Sequence, residues 1–210
     1  MIDFSNVQNV FIPEGEVAII ARGEEILWEK SKKPYSVELQ YIESNGVQYI
    51  DTGVTLTTTT DFEFTGSITE GTKTGWIAGA PTWVGIHKKA ETVAITQTSG
   101  GQTYLPVGIH EVFTIGLFGN KAYFNGVETN TLQRKNATST LFLFAYHHTN
   151  GTGTINTAIR MRSFRIWDGG NIIRDFIPVL DRECVPCMYD KVGGELFYNQ
   201  GTEEFLYTHP

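Results

Sequence analysis

The sequence predicts an all-β protein: a two-sheet antiparallel jelly-roll sandwich preceded by a small three-stranded β appendage. Three observations predict it. No long run places apolar residues at i, i+3, i+4 and i+7, the spacing of an amphipathic helix. A dozen or more short runs rich in Val, Ile, Phe, Tyr and Trp alternate with clusters of Gly, Asn, Asp and Thr, which is a strand-and-turn rhythm. Hydrophobic residues make up 40% and aromatics 12% of the 210 residues, enough for a core shared by two packed sheets.

Residues 1–33 read as a separate appendage. Val7 to Ile12, Glu16 to Ala21 and Glu25 to Glu29 are short strands, joined by turns at Pro13-Glu14-Gly15 and Arg22-Gly23-Glu24. Such a piece is too small to bury a core alone. Its apolar residues Val10, Ile12, Val17, Ile19, Leu27 and Trp28 therefore need a covering surface, on the following domain or on another chain. Ser31-Lys32-Lys33-Pro34 is the linker, and residues 34–210 form the sandwich.

In the sandwich, Glu38 to Ile42 and Val47 to Asp51 read as a hairpin around Ser44-Asn45-Gly46. Thr55 to Thr60 is an extended loop or a solvated edge strand. Asp61 to Thr69 alternates cleanly, with Phe62, Phe64 and Gly66 inward and Asp61, Glu63 and Thr65 outward. Trp76 to Ala80 and Trp83 to His87 flank Pro81-Thr82, and Glu91 to Thr96 and Tyr104 to Gly108 follow. Phe113, Ile115 and Leu117 share one face of a strand that turns at Gly119-Asn120. Lys121 to Phe124 returns, and Asn125-Gly126 turns again. Leu141 to Tyr146 is apolar on both faces, as a central buried strand is. In Ile159 to Trp167 the apolar phase slips between Met161 and Phe164, which predicts a β-bulge near Arg162-Ser163. Asn171 to Ile177, Pro186 to Tyr189 and Glu195 to Asn199 are the last runs.

The closing order is R-D-F-I-P, then C-M-Y-D-K-V, then L-F-Y-N-Q-G-T. With the opening segment from Tyr41 to Gly53, YIESNGVQYIDTG, it resembles the laminin-G-like (concanavalin A-like) domains of bacteriophage and prophage proteins of gut bacteria. The resemblance runs from Pro34 to Tyr207. The appendage pattern, I-P-E-G-E-V followed by G-E-E-I-L-W, resembles short N-terminal modules of phage structural proteins. The resemblance implies a fold that hosts many functions. It also implies a virion protein whose residues 1–33 attach it to another phage structural protein or to further copies of itself as a homo-oligomer.

Charge and composition narrow the function. The net charge of −7, with scattered basic residues, argues against nucleic acid, because phosphate contacts need clustered Lys and Arg. No apolar run approaches a membrane span. Met1 to Phe4 lacks a basic n-region and an apolar h-region, so the chain is expected to fold in a bacterial host cytoplasm and reach the virion by assembly. Cys184 and Cys187 form a lone C-x-x-C. A zinc site needs further Cys or His at suitable spacing, and a thioredoxin-type pair needs a βαβ context. Two reduced thiols are the simpler expectation. Cys187 matches the resembling family's C-M-Y-D motif, and Cys184 departs from it.

Catalysis finds little footing. A glycan hydrolase needs two carboxylates across the scissile bond. The nearest pair, Asp61 and Glu63, lies on the polar, outward face of its strand. There is no G-x-S-x-G elbow and no phosphate loop. Calcium is common in laminin-G-like domains, but Asp51, Asp61 and Asp168 each read more simply as turn or strand-end residues. No catalytic residue or cofactor is therefore expected, and a structural calcium ion, though common in the resembling family, finds no support in these residues. A glycan ligand suits the chain better, held on aromatic rings with amide and hydroxyl groups beside them. The candidates are Trp76, Trp83, His87, Tyr104, Tyr146, His147 and Asn150. The expected function is a non-enzymatic virion protein that displays a lectin-like sandwich to a host surface or glycan. The alternative is a capsid decoration or head-fibre protein.

Overall fold

The computed structural model describes the backbone of residues 9–11, 19–22, 25–29 and 153–155, and residues 33–97, 102–149 and 158–208 with their side chains. The chain divides into two compact units, Met1–Lys33 and Pro34–Pro210. The first unit contains β1 (Asn9–Phe11), β2 (Ile19–Arg22) and β3 (Glu25–Glu29), ordered β1-β2-β3 and antiparallel. Val10, Ile20 and Trp28 occupy one cross-strand row. Ile19 pairs with Phe11 and Glu29, and Leu27 falls at a register shift. Ile12 and Val17 lie outside the described residues.

The second unit is all-β among its described residues. Its chain shuttles between two sheets. β4 (Tyr35–Glu38) and β5 (Ile42–Ser44) enter the larger sheet, and β6 (Ile50–Thr55) the smaller. β7 (Thr60–Ile68) returns to the larger. β8 (Thr74–Ala80), β9 (Val84–Lys89), β10 (Thr92–Thr96) and β11 (Leu105–Pro106) build the smaller. β12 (Phe113–Phe118), β13 (Lys121–Phe124) and β14 (Val127–Thr131) extend the larger as a meander. β15 (Thr140–Leu143), β16 (Ala145–His147) and β17 (Gly153–Ile155) complete the smaller. β18 (Ile159–Asp168), β19 (Asn171–Asp181), β20 (Pro186–Asp190), β21 (Glu195–Phe197) and β22 (Leu206–Tyr207) finish the larger. Among the described residues, strand pairing is antiparallel except where β16 meets β8 through Tyr146 and Gly79, and an isolated bridge from Ile68 to Ile109 is also parallel. This is the jelly-roll sandwich the sequence predicts.

The core lies between the sheets. Alternation sets it: Phe62 and Phe64 of β7, Ile115 and Leu117 of β12 and Phe164 and Ile166 of β18 face Ile77, Ile86, Leu141 and Leu143 of the smaller sheet in one buried cluster. The bulge in β18 is present, as a register shift between Met161 and Ser163 against β7. It lets both apolar pairs of the strand face the core.

Three readings need correction. Residues 38–51 do not form a hairpin. β5 pairs with β18 and β22, whereas β6 pairs with β15 in the other sheet. The Ser44-Asn45-Gly46 turn is a corner between layers, and the buried Gln48 side chain fills in for ladder bonds there. Its Oε1 accepts from Ser44 Oγ at 2.9 Å and Asn45 N at 3.1 Å, and its Nε2 donates to Glu204 O at 2.9 Å. Second, Leu141 to Tyr146 is two strands, broken at Phe144, whose φ is 64°. Phe144 N still donates to Ile77 O at 2.7 Å. Third, β19 runs on through Pro178 to Asp181. Pro178 falls in the gap after the β18 pairing ends at Phe176 and before the β4 pairing starts at Val179, where Leu39 N donates to its O at 2.9 Å, and on the other edge it pairs with Met188 of β20.

The two segments that carry the resemblance dock on each other. Asn199 Oδ1 accepts from Tyr49 N at 3.0 Å, and Gln200 N and Thr202 N donate to Tyr49 O and Val47 O. Two aspartates of the closing segment, Asp190 of the C-M-Y-D-K-V motif and Asp181, hold turns. Asp190 Oδ1 accepts from Asp175 N and Val192 N, and its Oδ2 accepts from Gly193 N and lies 3.5 Å from Arg174 Nη1. Asp181 accepts from Glu183 N, Val185 N and Tyr198 Oη. Burial and this carboxylate push the Tyr198 phenol up to about 12.

Candidate functional site: an aromatic face on the smaller sheet

Adjacent strands β8 and β9 place Trp76 directly opposite His87. A register shift between Trp76 and Ala78 sends Ile77 into the core and leaves Trp76 outside it. Trp76 is nonetheless covered, because other rings lie on it. Tyr146 sits 4.7 Å away between ring centroids, His87 5.1 Å and Trp83 5.8 Å. Trp83 and Tyr146 are 5.7 Å apart, and Tyr104 meets His87 at 5.9 Å. None of these five residues belongs to the apolar cluster packed between the sheets, although Trp76 and Tyr146 are themselves buried. Gly79 makes the pile possible. A Cβ there would lie 2.8 Å from Trp76 Cε3 and 2.9 Å from Tyr146 Cδ2.

Trp83 crowns the pile and is 54% exposed. It sits in the Pro81-Thr82-Trp83 turn, where Thr82 has φ 73° and Trp83 φ 64°. Both side chains are disfavoured in that region, Thr most of all as a β-branched residue. Such strain costs roughly 1–3 kcal/mol per residue and persists only where surroundings enforce it. Here three hydrogen bonds do so: Trp83 N to Tyr146 Oη at 3.3 Å, Thr96 Oγ1 to Trp83 O at 3.2 Å, and Thr82 Oγ1 to Asn136 O at 3.0 Å.

Polar groups border the rings. Tyr104 Oη and His87 Nδ1 are 2.8 Å apart. Burial, then the nearby Lys89 and Lys88 charges, lowers the His87 pKa below its ordinary 6.5, so the ring is neutral at pH 7. An exposed indole above a covered phenol and a neutral imidazole offers flat apolar faces with hydrogen-bonding edges.

Five of the seven sequence candidates thus meet. His147 does not join them. It is buried against Phe142 at 3.8 Å, and its Nδ1 donates to Thr140 O at 2.8 Å. Its neighbour His148 reaches the pile instead, edge-on to Tyr146 at 5.0 Å. The i, i+2 relation to Tyr146 is the signal that points to it. Asn150 lies outside the described residues.

The acidic candidates are engaged elsewhere. Asp61 pairs with Arg134 at 3.1 Å and accepts from Gly119 N, and Glu63 pairs with Arg165 at 3.4 Å. Asp51 accepts from Gly53 N, and Asp168 from Thr59 Oγ1. Among the described residues no group of three or more His, Cys, Asp or Glu is placed to hold a metal. Cys184 is exposed, Cys187 is buried, and both are free thiols.

No protein-family model matches the chain, and no curated protein sequence does. Solved structures do. A candidate carbohydrate-binding protein of Bacteroides ovatus superposes at a TM-score of 0.58 and 9% identity, over 82% of this chain and 60% of its own. A heptameric SAP-like pentraxin of Limulus polyphemus superposes at a TM-score of 0.44 and 9% identity, over 66% of this chain and 80% of its own. This chain thus spans three fifths of the Bacteroides protein's length. At this identity the likeness to the Bacteroides protein is one of fold, a jelly-roll β-sandwich.

Proposed function

We propose that the protein is a non-enzymatic, lectin-like module that binds a glycan on the aromatic face of its smaller sheet. One observation carries the reading: Trp83 is held half-exposed above Trp76 and Tyr146 by a turn in a costly backbone conformation. Observed strain of this kind clusters at binding sites. The indole would stack on the apolar face of a sugar ring, while Tyr104, His87 and His148 meet its hydroxyls. The description of the Bacteroides neighbour as a candidate carbohydrate-binding protein agrees with this reading. The engagement of Asp61 and Glu63 in ion pairs with arginines supports binding without hydrolysis.

The finer reading is display on a bacteriophage particle, with residues 1–33 as the attachment or homo-oligomerisation unit and the sandwich turned to a host surface. Its support is the resemblance of the opening and closing motifs, together with the separate compact unit at Met1–Lys33. The first test is a glycan array probed with the full chain and with Trp83→Ala. Binding by the first and loss in the second supports the reading, and equal binding by both removes the aromatic face from it. The second is gold-labelled antibody on purified phage particles. Label at the tail tip supports host recognition, label over the head replaces it with capsid decoration, and no label ends the virion reading.

A further inference from the structure

The larger sheet carries a gap of its own on the face turned away from the core. Thr114, Gly116 and Phe118 alternate along β12 opposite to the buried Phe113, Ile115 and Leu117. Gly116 pairs with Tyr123 on one side and Glu63 on the other, and the Phe118 ring leans into the room its missing side chain leaves, which opens a shallow groove beside it. Phe118 and Tyr123 wall this groove, their ring centroids 6.0 Å apart and their planes at 69°. Glu63, Thr114 and Gly126 complete a groove of about 270 Å³. That is near the lower end of small-ligand pockets, roughly 300–1,000 Å³. A Cβ on Gly116 would lie 2.9 Å from Phe118 Cε2 and 3.0 Å from Phe62 O, so any larger residue would crowd the groove.

Charge selects the ligand class. Glu63 meets Arg165 at 3.4 Å, Arg165 meets Asp175 at 3.3 Å, and Asp175 meets Lys191 at 2.7 Å. The row alternates in sign and sums to zero. Neither a cation nor an anion is called for. What remains unfilled is acceptor capacity: the second oxygen of Glu63, and Thr114 Oγ1, which already lies 3.0 Å from Thr65 Oγ1. Two aromatic walls beside hydroxyl acceptors suit a neutral polyhydroxylated ring.

We propose that this groove is a second sugar-binding site, on the sheet opposite the aromatic face. It would make a single chain bivalent, a consequence that rests on the glycan reading of the first face. The groove itself shares no residue with that face. Facing opposite ways, the two sites would let one chain bridge two separate glycans, and not grip two sugar units of one flat surface.

The test is amide and indole NMR of the full chain. It is titrated with glucose, galactose, N-acetylglucosamine and the disaccharides of each to millimolar levels. The expected result is shifts at Gly116 and Tyr123 that persist in Trp83→Ala and weaken by about tenfold in Tyr123→Ala. Glu63→Gln keeps the side-chain volume and checks the acceptor role without removing a wall. It should weaken the same shifts by about threefold or more. Shifts confined to Trp83, Tyr104 and Tyr146 would overturn the groove and leave the first face standing. Shifts confined to the groove would uphold it and remove the first face. No shift with any of these sugars overturns the site.

Discussion

The phenol oxygen of Tyr146 accepts the backbone N–H of Trp83 at 3.3 Å. One ring thus supports the indole from beneath and pins the turn that presents it. Tyr146→Phe keeps the ring and deletes the pin. The expected cost is about 0.5–1 kcal/mol, because the bond is long and neutral. Glycan affinity should fall several-fold as the turn relaxes. Urea unfolding and a binding titration check both. Unchanged affinity would show that the ring pile alone holds Trp83.

The turn itself offers a second test. Asn tolerates the left-handed region that Thr82 occupies. Thr82→Asn should therefore stabilise the protein, by up to about 1 kcal/mol after the loss of the Thr82 bond to Asn136 O. Trp83 would remain in place. A lowered urea midpoint would mean that this bond outweighs the strain.

His87 makes stability depend on pH. Its folded pKa lies below 6.5, lowered by burial and then by Lys89 and Lys88, while the unfolded chain titrates near 6.5. At neutral pH the ring is uncharged in both states and its contribution is complete. As pH falls below 6.5 the unfolded chain takes up the proton first, so stability is lost until the folded pKa is passed. Unfolding curves between about pH 7 and pH 5 should show this slope, and His87→Gln should flatten it. An equal slope in both proteins would remove His87 as its source.

The thiols should differ in reactivity. Burial and the Asp181 charge push Cys187 up to about 12, whereas Cys184 is exposed. Iodoacetamide at about pH 8 should modify one thiol per native chain and two per unfolded chain. Two fast thiols in the native protein would reopen a redox role for the pair.

Sequence reasoning reached some elements and not others, for physical reasons. β7 was legible because one face is core and the other water, so Phe62 and Phe64 alternate with Asp61 and Glu63. The corner at Ser44-Asn45-Gly46 was not, since a tight turn reads alike whether the chain returns to its own sheet or crosses to the next. Pro178 hid the second half of β19, because its tolerance depends on which neighbour stops where. In the aromatic face the ring types were legible and their phase was not. Residues 141–147 are all buried, so their pattern carries no alternation, and the break at Phe144 resets which side chain points out. That is why the sequence points to His147, whereas it is the His148 ring that meets Tyr146. The glycine that admits the rings, Gly79, leaves no mark in a polar–apolar pattern.

The pairing of β4 and β5 has a consequence in time. Their partners are β19, β18 and β22, and Tyr41 Oη bonds Thr208 Oγ1 across 167 residues. During synthesis β4 and β5 emerge early and must wait, unpaired, for the closing strands. Loops of this length close slowly, and exposed strand edges invite misassociation meanwhile. The docked opening and closing motifs thus act as a clasp that fastens last. The sandwich should mature late, as one cooperative event, rather than strand by strand as it is made.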